Sequence, residues 1–383
     1  MTYLEYKIRA VPRGFHKLFY LNWPIILLLC AAGAIGIIML TSIAGNNWHP
    51  WASAQLKRFF VGLALMISIA MTPIWFWKSM SVLSYIASLG LLVLVEFFGS
   101  MGMGAQRWLD LGFITLQPSE MAKITLIMVL AFYYDWLPEE RISKPQWIIA
   151  PLALIFLPFF LVLQQPDLGT SLLIILGGGV MMFLAGVHWG YFGVALSVSL
   201  GGILAIFNSR GKDWQLLNDY QYRRIDTFLD PSSDPLGAGY HITQSKIALG
   251  SGGWTGRGFG QGTQSRLNFL PEKHTDFIFT TLAEEFGFVG GISLLTIYAL
   301  IVAFAIIAAI RNKDRFSSLL IHGVTVTFFL YFAVNMAMVM GLAPVVGVPL
   351  PLVSYGGSSL LVLMVAFGLL QSAHVHKPRG VLG

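Results

Sequence analysis

Apolar residues run almost unbroken through ten stretches of the chain, at 21–44, 59–77, 80–99, 119–137, 147–164, 170–187, 190–208, 284–310, 316–340 and 356–376. Each approaches the roughly 20 residues that a helix needs to cross a bilayer. Continuous apolarity, rather than alternation with a period of two, selects helices over barrel strands. Only those two architectures satisfy backbone groups in lipid. The pattern predicts an all-α polytopic integral membrane protein of about ten transmembrane helices. The polar interval 208–275 separates the seventh from the eighth. The whole chain, 1–383, reads as one membrane domain with that interval as its large loop.

Composition agrees, with 56% hydrophobic and only 11% charged residues, against about 25% charged in a soluble domain. The net charge of +6 is what basic cytoplasmic loops produce, and it does not point to nucleic acid. The single cysteine, Cys30, forms no internal disulfide and no zinc pattern, and reads as a buried small residue. Lys7, Arg9, Arg13 and Lys17 precede the first apolar run as in a signal sequence. That run exceeds the roughly 7–15 residues of a signal core, so an uncleaved first span is expected.

Basic residues then orient the chain. With ten spans both ends share a side, and the ends and even-numbered connections hold Lys7, Arg9, Arg13, Lys17, Lys78, Arg141, Lys144, Arg311, Lys313, Arg315, Lys377 and Arg379. The opposite short connections hold Lys57, Arg58 and Arg107. The positive-inside rule places both termini in the cytoplasm and the long loop outside. The second half of that loop, GSGGWTGRGFGQG at 250–262, lacks G-x-G-x-x-G and follows no strand, so it reads as a close-packed irregular loop. Glycines at 177–179 and in GFVGG at 287–291 suit close helix approach.

Ionisable residues beside membrane helices are functional candidates by default, and four segments on the outer side collect them. GAQRWLDLG carries Arg107 and Asp110, and QPSEMAK carries Glu120 and Lys123. A helix beginning near Ser119 makes the latter two an i, i+3 pair, which is a local ion pair on the plain reading and an anion contact on the functional one. QQPDLGTS holds Asp167 in a tight connection, where aspartate is an ordinary turn residue. In LPEKHTDFIF, Asp276 is a helix cap or first-turn acid on the plain reading. On the functional reading it is a general base, its proton affinity raised at an apolar edge. Glu284 and Glu285 further on are structural acids or supporting partners. GLAPVVGVPLPLVSYGGSS, 341–359, has too many prolines and glycines for a regular helix and suits a segment lining a site. No D-x-D triplet and no P-loop occurs, which argues against a soluble nucleotide donor and direct ATP drive. His274 and Asp276 alone do not define a metal site. No cofactor or fixed metal is expected, and a divalent cation is compatible with the pattern.

GAQRWLDLG, QPSEMAK, QQPDLGTS, LPEKHTDFIF, AEEFG and PLPLVSYGGSS occur here in the order typical of the SEDS family (shape, elongation, division and sporulation). The chain resembles that family over about residues 20–376. PVVGVPLPLVSYGGSS with QSRLNFLPEKHTDFIF is closer to its rod-shape branch than to its division branch. The resemblance implies a peptidoglycan glycosyltransferase in the bacterial cytoplasmic (inner) membrane. Such an enzyme polymerises lipid II onto a lipid-linked glycan strand on the outer face during elongation, with inversion. It works with a class B penicillin-binding protein and other elongation-complex proteins. The resemblance makes Asp276 the essential aspartate, the base for the acceptor GlcNAc 4-hydroxyl. Arg107, Lys123, Glu120, Asp167 and Gln165 match positions in motifs regarded as important. From charge sign and side, Arg107 and Lys123 are the first candidates for the departing pyrophosphate, then Arg223 or Arg224, and His274 is a further substrate candidate. Two other classes share the setting. A lipid II flippase would favour charges midway through the spans, whereas these cluster at one edge. A non-catalytic scaffold that activates the penicillin-binding protein would not need Asp276.

Overall fold

The computed structural model describes residues 14–102, 105–110, 112, 115–234, 237–266 and 273–377. Lys7, Arg9, Arg13 and Arg379 of the charge count, residues 270–272 of the LPEKHTDFIF run and the side chain of Arg224 lie outside the described residues. In chain order the helices are α1 (Trp23–Ile43), α2 (Trp51–Met71), α3 (Ile74–Phe98), α4 (Pro118–Trp136), α5 (Pro145–Gln164), α6 (Leu168–Leu184), α7 (Trp189–Ser209), α8 (Asp219–Leu229), α9 (Ala238–Ser251), the single turn α10 (Thr263–Arg266), α11 (Ile278–Ile310), α12 (Arg315–Val339) and α13 (Ser358–Val375). Long helices stand at all ten apolar stretches, and eight of them are long and apolar enough to cross a membrane. The other two are α6, which is short, and α4, which carries Glu120, Lys123 and Asp135. The chain is an all-α polytopic membrane protein with one small exception. Strands β1 (Ser100–Gly102), β2 (Ala105–Asp110) and β3 (Thr115–Leu116) form an antiparallel ribbon between α3 and α4.

Three expected boundaries move. The stretches 59–77 and 80–99 implied a break near residue 78, but α2 ends at Met71 and α3 starts at Ile74. Pro73, without an N–H, ends the ladder there although the flanking residues stay apolar. Lys57 and Arg58, expected in a connection, lie in the second turn of α2. The eighth apolar helix begins at Ile278 rather than 284.

The buried faces of α4, α12 and α13 form the centre, and α7 stands at the edge with Ser209 as its sole buried residue among those described. Inside a membrane, packing and internal hydrogen bonds hold helices together rather than expulsion from water. Small residues therefore mark the contacts. A Cβ on Gly178 would lie 2.5 Å from Ile155, and one on Gly36 would lie 2.7 Å from Val353 Cα. The prolines inside α5 show the same economy. Pro151 and Pro158 lack the N–H groups that Trp147 and Leu154 carbonyls would accept. Tyr133 donates to Trp147 O at 2.6 Å, and Tyr85 donates to Leu154 O at 2.7 Å. Tyr85→Phe removes only the hydroxyl and strands a carbonyl in the bilayer. It should cost about 1–3 kcal/mol, read as a lower unfolding midpoint in detergent. The cost should shrink in a Pro158→Ala background, where the helix regains its own donor.

The interval 208–275 is not an irregular loop throughout. Asn218 and Gln221 form a capping box at the start of α8, and Arg210 grips Asp226 with two bonds of 2.7 and 2.6 Å. The α9 helix rests on α12, with Ser245 donating to Val339 O at 2.8 Å. The glycine-rich segment is packed as expected, against α11 at a kink where Gly287 has φ 65°. Phe288 and Val289 donate to Gly253 and Trp254 carbonyls, and Arg257 and Gly258 amides donate to Glu284 and Glu285 carbonyls, all at 2.9–3.1 Å. A Cβ on Gly252 or Gly256 would meet α11 carbonyls at 2.0 and 2.1 Å. Glu284 accepts from Thr263 at 3.0 Å, just past this segment, and Glu285 accepts from Ser42 of α1 at 2.5 Å.

Basic residues assigned to one face gather at one end of the helices. Lys17 donates to Met71 O at 2.7 Å, Lys78 pairs with Asp135 at 2.5 Å and Arg315 donates to Leu137 O at 3.1 Å.

Candidate active site

At the other end of the helices lies a chamber of about 190 Å³ lined by Arg107, Glu120, Lys123, Asp167 and Asp276, among others. These five candidates come from four separate segments. The ribbon between α3 and α4 supplies Arg107 on β2. Its Nε donates to Gln165 O at 3.0 Å and its Nη2 to Pro166 O. Carbonyls orient the guanidinium without neutralising it.

The α4 helix starts at Pro118, so Glu120 and Lys123 do fall on one face, paired at 2.7 Å. Both are buried, at 5% and 4% exposure. Tyr331 of α12 completes the group. Its hydroxyl donates to Glu120 and accepts from Lys123, whose ammonium lies 4.3 Å from the ring centroid. A buried ion pair persists only when further hydrogen bonds satisfy it, and Tyr331 supplies them. Lys123 is therefore already compensated within the protein, whereas no ion pair joins Arg107 to an acid among the described residues.

Asp167 is both a cap and part of the lining. Its carboxylate accepts the Thr170 amide at the start of α6 and the Gln117 side chain, each at 3.2 Å. Asp276 is not the cap of α11. That helix starts at Ile278, with Phe277 at the cap position and no side-chain cap bond. Asp276 stands one residue earlier and faces the chamber. Lys273, three residues before it, is buried, and burial pushes its ammonium below the ordinary lysine value.

The segment 341–357 is irregular, as expected, and lines the chamber with Gly347, Val348, Pro349, Tyr355, Gly356 and Gly357. It is bonded to α11, to α12 and to the turn over 273–277. Asn335 of α12, fully buried, donates to Val348 O at 2.7 Å and to Asp276 O at 2.9 Å. One amide group thus ties the catalytic candidate to the strap. Ser354 donates to Thr275 O at 2.5 Å, Tyr355 N to His274 O at 2.9 Å, and Tyr298 to Pro351 O at 2.5 Å. Gly347 has φ 68°, and a Cβ there would lie 3.5 Å from Asp276 Oδ2. Sequence reasoning missed Tyr331 and Asn335, for which a polar Asn within an otherwise apolar run was the one signal available, while Gly347 lies in the segment expected to line a site.

Three candidates lie elsewhere. Gln165 is buried beneath the chamber, where its side chain donates to Leu92 O at 3.0 Å. Its main-chain carbonyl is the one that accepts from Arg107 Nε. His274 stacks on Trp51, centroids 4.9 Å apart, and is not in the lining. Arg223 is exposed on α8, also outside the lining. Among the described residues no three His, Cys, Asp or Glu side chains converge as a metal donor set.

Comparison with known proteins gives one answer. The model of the cell cycle protein family of FtsW, RodA and SpoVE matches residues 21–379. The peptidoglycan glycosyltransferase MrdB of Escherichia coli K12 is 43% identical over 360 residues, 94% of each chain. A probable peptidoglycan glycosyltransferase FtsW of Aliivibrio salmonicida is 38% identical over 335 residues, 86% of this chain and 81% of that one. Among solved structures, a chain of a peptidoglycan synthase complex that coordinates polymerization and crosslinking superposes with a TM-score of 0.79 at 30% identity. The match covers 92% of this chain and 97% of that one. The rod shape determining protein RodA of Thermus thermophilus superposes with a TM-score of 0.69 at 28% identity, covering 92% and 96%. The chain belongs to the FtsW/RodA/SpoVE family of cell cycle proteins.

Proposed function

We propose that this protein is a bacterial membrane peptidoglycan glycosyltransferase that polymerises lipid II during cell elongation, with the Asp276 chamber as its active site. One observation carries the reading. A carboxylate, a guanidinium held by carbonyls and a buried charged triad converge from four distant segments on one cavity at one end of the bundle. Identity of 43% to a peptidoglycan glycosyltransferase along nearly the whole chain supports it.

In this reading the acceptor GlcNAc 4-hydroxyl loses its proton to Asp276 as its oxygen attacks the anomeric carbon of the lipid-linked donor. The bond from that carbon to the pyrophosphate oxygen breaks, and the configuration inverts. Pyrophosphate is a good leaving group, so it needs positive charge rather than a strong general acid. Arg107 supplies that charge. Lys123 sits behind it, held by Glu120 and Tyr331. No resident metal enters the reading, and a divalent cation travelling with the pyrophosphate is compatible with it. Both termini lie in the cytoplasm and the chamber faces outward, as the basic residues at the opposite helix ends support. A class B penicillin-binding protein crosslinks the product, in line with the structural match to a chain of a synthase complex.

The test is polymer synthesis from labelled lipid II by the purified protein. The partner penicillin-binding protein is present with its catalytic serine replaced. Glycan polymer is expected. Its absence leaves the flippase or scaffold readings and removes this one.

A further inference from the structure

The chamber is small for its task. At about 190 Å³ it falls below the ~300–1,000 Å³ of ordinary ligand sites, yet the reaction joins two lipid-linked sugars, each with its own pyrophosphate. Its charge is also unsuited to two such anions. Arg107 and Lys123 face Glu120, Asp167 and Asp276, two cations against three carboxylates.

A second cavity, of about 440 Å³, opens beside it between α2, the β2–β3 ribbon and α13. The two share Gly357 as a wall. Lys57 and Arg58 of α2 line the second cavity against a single acid, Asp110. Asp110 accepts the Gly112 amide at 2.8 Å, and no ion pair joins it to either cation among the described residues. Arg58 is held by stacking. Its Cζ lies 4.9 Å from the ring centroid of Tyr355, a residue of the chamber wall. Its Nη1 is buried and has no hydrogen-bond partner among the described residues. A buried donor of a charged group left unmatched is costly, and a guanidinium fork matches phosphate oxygens in shape and charge.

Resting on the function proposed above, we infer that this second cavity seats the pyrophosphate of the acceptor, with Arg58 as its principal contact and Lys57 adding charge. The chemistry selects acceptor over donor. The donor's pyrophosphate leaves from the reacting carbon and must sit inside the chamber with Arg107. The acceptor attacks through the sugar farthest from its own pyrophosphate, so its anionic end lies a disaccharide away from Asp276. A cationic cavity one aromatic ring removed from the chamber meets that requirement.

The experiment compares the unmutated protein, Arg58→Ala and Arg58→Lys by polymerisation rate against lipid II concentration. It is run in zwitterionic nanodiscs with the inactivated partner present, and unfolding midpoints are measured alongside. Arg58→Ala should raise KM for lipid II about 10- to 100-fold, as expected for a lost charged hydrogen bond, with kcat within about twofold. Arg58→Lys should recover part of the loss. A fall in kcat at unchanged KM would place Arg58 on the leaving group and overturn the assignment. Unchanged kinetics would overturn it as well. A second arm adds anionic phospholipid. If Arg58→Ala alters only the response to that lipid, the cavity serves the bilayer and the proposal fails. Absence of polymer from the unmutated protein would instead remove the function on which the inference rests.

Discussion

Asp276→Asn makes glycan polymer about 10²- to 10⁴-fold more slowly than the unmutated protein, the range a positioned general base contributes. The substitution keeps the shape of the side chain and removes its capacity to take a proton. It keeps the bond from Asn335, which holds this position through the Asp276 main-chain carbonyl. Binding of lipid II should therefore survive while turnover collapses. The two are separated by measuring lipid II retention by native mass spectrometry beside the polymer assay. Equal turnover of Asn and Asp forms would strip Asp276 of the base role without touching the polymerase reading. Joint loss of binding and turnover would make it a substrate contact instead.

The second large effect is on stability. Glu120→Leu leaves Lys123 charged and buried beside a tyrosine that has lost its acceptor. Removing one member of a buried pair costs about 3–5 kcal/mol, because the survivor is left uncompensated. Replacing both members with apolar residues of similar volume is often neutral. The double variant Glu120→Leu/Lys123→Met should thus recover most of the unfolding midpoint lost by the single one. It should remain inactive, since the chamber then has neither charge. Equal destabilisation of single and double variants would show that the group is held by something other than the pairing. Recovery of both stability and activity would show the triad to be structural alone.

The helices were legible because the bilayer makes one demand of every span, and long apolar runs answer it openly. The same signal blurs where two spans meet without a polar interval. Around Pro73 the residues on both sides are apolar, so hydropathy reads through the turn and only the missing proline N–H marks it. The β-ribbon escaped because strands of two to six residues have no length requirement of this kind. In the site, Arg107, Glu120, Lys123, Asp167 and Asp276 stood out as ionisable groups beside apolar runs. Their partners did not. Tyr331 reads as one more aromatic of a membrane helix until its hydroxyl is seen between Glu120 and Lys123. His274 erred the other way. Nearness to Asp276 in sequence suggested a shared task, but His274 stacks on Trp51 while Asp276 lines the chamber. The capping expectation for Asp276 failed for a similarly local reason. Its helix starts two residues later, and the position before the cap faces the chamber.

Three glycines of the strap, Gly347, Gly356 and Gly357, line the chamber, and this bears on resistance to inhibitors. A ligand that bonds the peptide groups of Gly347, Val348, Gly356 or Gly357 holds atoms present whatever the side chain. Escape by added bulk is obstructed too. Gly347 has a positive φ that other residues tolerate poorly. Compounds anchored on this strap would leave a bacterium few single substitutions that weaken the drug and spare the enzyme.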